Sequence, residues 1–326
     1  MKRFFWNTQQ NRPRAFWRLL IQLLVWLFFL LILQLGRLIF TGKEINPDNV
    51  TKVDIWLRLI SLLGALVVMS KWIDKRPFRQ YGVDLRQKDW WIDFGFGLFL
   101  GIVMIVFIFL IFLIAGWVEV IGWADIPDNQ SVVNNTTITA LTLFAFVLFE
   151  SLWVWSYVLR NLAEGFVYLD RLNGRVPVIA ALLFALILFI LLQTGENTRF
   201  NTILVSNLLR AGLLLALPFI LTQRLGMTMG LAMGWTLTQD IIFGFPNVRP
   251  SASLYTFLSL EQTGPPEWTG GATGLGTGLM AMIILLLASG ILTMWEKRRT
   301  GKAMFDGRMA HYEPMLNAQK TASNNS

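Results

Sequence analysis

The sequence predicts an all-α, polytopic membrane protein of about eight transmembrane helices, and three observations predict it. Of 326 residues, 55% are hydrophobic and only 15% charged, a balance that no soluble domain of this size needs to cover one core. The apolar residues gather into runs close to the ~20 needed for a helix to cross a bilayer. Finally, Lys and Arg are heavily concentrated in alternate connections between those runs, as the positive-inside rule requires.

The first run, from about Ala15 to Phe40, is too long for the apolar region of a signal peptide and lacks a small-residue cleavage pattern, so it reads as a retained span. Seven further candidates follow near 54–73, 92–116, 138–160, 176–194, 201–222, 226–243 and 272–295. With both termini placed in the cytoplasm, 21 of the 28 Lys and Arg fall on the inner side. Only Lys43, Lys52, Arg199 and Arg249 fall outside, and Arg37, Arg58 and Arg210 lie within or at the edges of spans. The outer loop 117–137 carries Glu119, Asp125 and Asp128 and no basic residue.

Between the second and third spans, KWIDKRPFRQYGVDLRQKDWWIDFGFG (71–97) is basic and aromatic, and reads as an interfacial anchor on the cytoplasmic side. The long loop 244–271 is rich in Gly and Pro, which points to a functional segment or one packed back as a lid. Residues 300–326 read as a polar, disordered cytoplasmic tail. The chain thus divides into an N-terminal segment with two spans (1–70), a membrane core (71–299) and the tail.

Composition excludes several chemistries. There is no cysteine and the only histidine, His311, lies in the tail, so disulfides, thiolate metal sites and imidazole-bound metals inside the membrane are excluded. No metal or cofactor is expected. The net charge of +8 belongs to residues flanking apolar runs rather than to an aromatic-interleaved stripe, so it speaks for membrane topology and against nucleic acid. Most of the 14 tryptophans, including Trp72, Trp90, Trp91, Trp117, Trp123, Trp268 and Trp295, stand at predicted span ends as an aromatic belt. TGGATGLGTG (269–278) lacks the Lys-Ser/Thr ending of a phosphate loop and reads as close helix packing.

One carboxylate stands apart. Glu150, in FESLWVWSYVLRN, lies within a span, where an ionised carboxylate costs about 2.5–3.5 kcal/mol even on lenient insertion scales. It must be neutral, paired or wet. Arg210, in the middle of another span, is a possible partner; it could equally snorkel or hold a lipid headgroup. Asp240, near the outer end of its span, reads as interface-exposed, and Asn207 and Gln193 as interhelical hydrogen-bond donors.

Four segments, in order, resemble the CPBP family of intramembrane proteases, the CAAX-prenyl protease and bacteriocin-processing group. RPFRQYGVDLRQKDWWIDFGFGLFLG resembles its linker and glycine-bearing helix, and ESLWVWSYVLRNLAEGF its first motif of two glutamates, an arginine and Gly-Tyr. AALLFALILFILLQTGEN resembles the Phe-x-x-x-His motif. GLAMGWTLTQDIIFGFP, followed by EWTGGATGLGTG, resembles the His-x-x-x-Asn/Asp motif and its continuation. The resemblance covers about 71–295 and implies a CPBP-like helical bundle in which glutamate and histidine activate a water. Residue by residue, Glu150 keeps the first glutamate, while Ser151 replaces the second and Trp155 the arginine. Phe189 survives, Gln193 and Ala232 replace the histidines, and Thr236 replaces the asparagine or aspartate.

Alanine can neither take a proton nor hold a water, and Gln193 can hydrogen-bond but cannot act as a base near neutral pH. What the resemblance implies is therefore a pseudoprotease: a catalytically silent protein of a membrane, taken as the bacterial cytoplasmic one, that binds lipids or other membrane proteins. The alternative is a residual endopeptidase with Glu150 as general base and Gln193 as oxyanion donor. A transporter fits less well, because the spans show no repeat with paired, Gly/Pro-interrupted helices.

Overall fold

The computed structural model describes residues 5–8, 10–42, 51–123, 132–167, 175–193, 202–245, 256–271, 274–301 and 307–312. A minimal hairpin, β1 (Trp6–Asn7) and β2 (Arg12–Pro13), precedes α1 (Ala15–Thr41). Helix α2 (Lys52–Val68) continues as a π-wound turn over Met69–Ile73. After a 3-10 turn at Phe78–Tyr81 come α3 (Lys88–Ile114) and strand β3 (Val118–Trp123). Helix α4 starts at Val132–Glu150, is π-wound over Ser151–Val158 and ends as Leu159–Gly165. Next are α5 (Arg175–Gln193) and α6, which joins Thr202–Arg210, a π segment Ala211–Ala216 and Leu217–Thr222. Helix α7 (Leu225–Leu237) runs on as the π turn Thr238–Ile242; β4 (Leu258–Gln262) and α8 (Leu279–Thr300) complete the order.

The protein is thus mostly helical, and helices lie at all eight places where the sequence predicts spans. Six stretches are long and apolar enough to cross a membrane: Ala15–Thr41, Lys52–Ile73, Lys88–Ile114, Val133–Gly165, Val205–Thr222 and Leu279–Thr300; Arg175–Leu191 is apolar but shorter. Their outer faces suit lipid rather than water. Leu24, Phe28 and Leu31 on α1, and Phe99 and Phe107 on α3, are all more than half exposed, the arrangement expected where hydrocarbon is the solvent. The all-α class holds; among the described residues two short antiparallel pairs, β1–β2 and β3–β4, accompany the helices.

The chain forms two compact units. The first comprises Met1–Asp84, Leu148–Ala185 and Phe305–Ser326. Here α1 and α2 form an antiparallel hairpin. Gly42 ends α1 in the left-handed conformation (φ 64°), and a capping box of Thr51 and Asp54 starts α2. Asp54 also accepts from Gln34 Nε2 at 3.0 Å and forms an ion pair with Arg37. The span-edge charge Arg37 therefore has an internal partner at that end of the hairpin. Leu62, Ala65, Leu66 and Met69 are fully buried along α2.

The second unit comprises Leu85–Val147 and Leu186–Met304, and α7 is its centre. Every residue from Leu225 to Thr236 is buried, so this helix has no solvent or lipid face. It runs parallel to α3 at very short range. A Cβ built on Gly226, Gly230 or Gly234 would lie 2.3, 2.1 or 2.3 Å from the carbonyl oxygen of Trp90, Phe94 or Leu98. A Cβ on Gly97 or Gly101 would lie 2.5 Å from the carbonyl oxygen of Met227 or Leu231. Two small-xxx-small stripes thus face each other, and the backbones touch with no side chains between them.

At one end of these helices Asp93 of α3 accepts from Arg224 Nε (2.6 Å) and pairs with Arg299 of α8, which also reaches Asp89 (2.5 Å). At the other end β3 and β4 pair in the register Val118↔Gln262 to Trp123↔Leu258, with a bulge between Val120 and Gly122. The described part of the loop 244–271 is therefore folded back, as the sequence suggests, onto the segment that follows α3. The glycine run at 269–278 serves two ends among the described residues. Gly270 has φ 83°, and a Cβ there would lie 2.0 Å from Gly274 O, so it closes a tight turn before α8, while a Cβ on Gly276 would meet Arg210 Cδ at 3.7 Å, so the stretch also packs against α6.

Candidate functional site

The positions singled out in the sequence divide between the two units. In the first, Glu150 is 7% exposed at the junction where α4 changes to π winding, a distortion that recurs at functional sites in membrane and soluble helices. Ser151 and Trp155 are fully buried beside it, and the Ser151 hydroxyl has no hydrogen-bond partner among the described residues. Trp153 Nε1 donates to Gln22 Oε1 (3.1 Å), and its ring packs 4.7 Å from Trp26 and 5.6 Å from Phe149. The tryptophan-rich motif is packed against α1.

In the second unit, Gln193 is the last residue of α5, and its side chain lies outside the described residues. Ala232 and Thr236 are buried on α7. Arg210 Nη2 donates to Asn207 Oδ1 at 3.2 Å, so the Asn207 oxygen acts as an acceptor within its own helix. Asp240 is not exposed at an interface, as its position near the span end suggests; it is 3% exposed and accepts from Gln239 Nε2 (3.1 Å), whose own Oε1 accepts from Trp235 Nε1 (2.7 Å).

Sequence reading missed the most concentrated chemistry, which is in the first unit. Glu164, near the end of α4, accepts from Arg12 Nη2 and Arg18 Nη1, both at 2.8 Å, and pairs with Arg76. Asp74 accepts from the Tyr81 hydroxyl at 2.6 Å and lies 3.6 Å from Arg18 Nη1. Ser156 Oγ donates to Tyr81 O at 2.6 Å, tying α4 to the 3-10 turn. Arg12 receives further support from Gln10, whose Oε1 accepts from Nε at 2.9 Å and Nη2 at 2.7 Å.

The electrostatics follow from burial. Loss of solvent pulls the Arg12 guanidinium down to about 10 despite Glu164, and Arg18 and Arg76 push the same way. For Arg76 burial acts downward too, but Glu164 and Asp74 outweigh it and hold the charge firmly. Burial, then Asp74, raises the Tyr81 phenol well above its usual range, so it remains a donor.

The tail closes the cluster. The Tyr312 ring lies 3.4 Å from the Arg12 guanidinium carbon, and its hydroxyl donates to Lys75 O at 3.0 Å. Met309 and Ala310, in the turn Gly307–Ala310, are buried. The described part of the tail is therefore packed, not solvated as the composition of 300–326 suggests. Its signal was weak: one Met-Ala and one Tyr in a polar stretch.

Among the described residues no group of three or more His, Asp or Glu is arranged to hold a metal ion. No family model, curated protein or solved structure matches the chain.

Proposed function

We propose that this chain is an eight-span membrane protein on the CPBP pattern that has lost proteolytic chemistry and works as a protein- or lipid-binding accessory subunit in the cytoplasmic membrane. The observation that carries this reading is the packing behind Glu150. The residue at the motif's arginine position, Trp155, is fully buried, and Ser151 with it. Bulk stands where a peptidase needs a water, a substrate carbonyl and an electrophile.

Two features support the count of eight spans. Helix α7 runs parallel to α3 from the level of Trp90 to that of Phe109, where Phe243 stacks at 4.3 Å, so it traverses the depth that α3 traverses. Arg12, before α1, and Tyr312, after α8, are in contact, which needs an even number of crossings. The six long apolar stretches and α7 leave an odd number, and α5 completes it.

Replacement of Glu150 tests the functional reading. Glu150→Gln is expected to lower the melting temperature and weaken retention of co-purifying membrane proteins, with no uncleaved precursor accumulating in cells. Unchanged stability together with an accumulated precursor would instead establish Glu150 as a working base.

A further inference from the structure

The arginine cluster of the first unit carries more positive charge than its own carboxylates neutralise. Arg12, Arg18 and Arg76 are each at most 2% exposed, and they face two carboxylates, Glu164 and Asp74. Lys75, beside them, adds a further cation whose Nζ donates to Asn11 O at 2.6 Å. Among the described residues three buried donors have no acceptor, Arg12 Nη1, Arg18 Nε and Arg76 Nε, against a single carboxylate oxygen, Asp74 Oδ1, that accepts no hydrogen bond. An unmatched guanidinium edge in a dry site costs free energy, and it is rare unless something else completes it.

We propose that this cluster is a binding site for a phosphate oxyanion, with residues 307–312 as its removable cover. Three guanidinium groups with free N–H edges call for a ligand bearing several acceptor oxygens around one centre; a phosphate provides that, and Arg is the residue suited to it. The place also fits. The cluster is built from the start of α1, the segment just after α2 and the end of α4, so it lies where spans end and headgroup phosphates sit. The covering segment supplies only a substitute for the anion: the π face of Tyr312, 3.4 Å from Arg12 and 5.7 Å from Arg76, anchored through the Lys75 carbonyl. Displacement of Tyr312 uncovers the guanidiniums of Arg12 and Arg76, the two its ring lies against, and the phosphate can come from a lipid headgroup or from solution.

The test uses the full chain in nanodiscs, with inorganic phosphate added to pure phosphatidylcholine discs in one arm and discs containing phosphatidic acid in the other. Binding and melting temperature are read in both. Tyr312→Ala, at the surface of the cluster, is expected to fold as the parent does and to bind the phosphate-bearing probe about tenfold more tightly, the scale of a desolvated cation–π contact. Adding Arg12→Gln to Tyr312→Ala should abolish that gain. A gain with phosphatidic acid alone assigns the site to a headgroup, and a gain with inorganic phosphate assigns it to a soluble ligand; either supports the proposal. If Tyr312→Ala binds neither probe more tightly than the parent, the proposal is overturned whatever the double variant does.

Discussion

Glu164 shows how the weight of one residue depends on its surroundings. Its carboxylate is the shared acceptor of Arg12, Arg18 and Arg76 in a site closed to solvent. Glu164→Gln keeps the shape and removes the charge, so three guanidiniums are left with Asp74 alone. The expected loss is about 3–5 kcal/mol, the cost of leaving buried charge uncompensated, read as the unfolding free energy in mild detergent; a change under about 1 kcal/mol would contradict the burial described. Little of this was legible in the sequence. The three arginines are separated from Glu164 by 152, 146 and 88 positions, and each reads singly as a topology charge. The one usable signal was an acid placed in a basic inner connection. Glu150, by contrast, stood out at once, because a carboxylate in an apolar run has no routine explanation.

At the scale of elements, glycine spacing decides which helices meet. Gly230 has Phe94 O at 2.1 Å from the place a Cβ would take, whereas Gly95, on the facing helix, has nothing within 4 Å. Gly230→Ala must therefore push α3 and α7 apart, at about 1–3 kcal/mol for overpacking, while Gly95→Ala should be neutral or stabilising by up to ~1 kcal/mol through helix propensity. Paired melting curves of the two variants check this; equal shifts would refute the backbone contact. The helices themselves were legible, α1 and α2 to within a few residues because they start and stop where apolar runs do, whereas α4 and α8 are displaced from their expected spans by up to seven residues. The strands β3 and β4 were not, because neither has a clean alternation and the pairing joins segments far apart in sequence. Nor were the four π-wound stretches among the described residues, which follow from tertiary packing rather than from any composition.

For the molecule as a whole, three sets of contacts report sidedness. Arg12, Arg76, Glu164 and Tyr312 meet at one end of the first unit. In the second unit Asp93, Arg224 and Arg299 meet at one end of α3, while β3 and β4 pair at the other. These groupings join segments that the distribution of Lys and Arg already assigns to a common side. Which side each end faces is read from the charge pattern alone, because that pattern records insertion rather than packing. With no native thiol, single cysteines check the assignment cleanly. A cysteine at Glu261 should react with an impermeant reagent from the outer face and one at Gln87 should not; the reverse pattern would invert the topology.

The contact between α3 and α7 also dictates a timetable. The two helices lie side by side, yet every residue from Ala115 to Arg224 must be made before the second follows the first out of the ribosome. At usual rates of synthesis that is on the order of ten seconds. During this interval Gly97 and Gly101 form a groove in α3 with no backbone to fill it, open to lipid or to any other helix with a small-residue stripe. Newly made chains are therefore most exposed to mispairing after α3 enters the membrane and before α7 does, and this step should depend most on whatever membrane factor shelters unfinished helices.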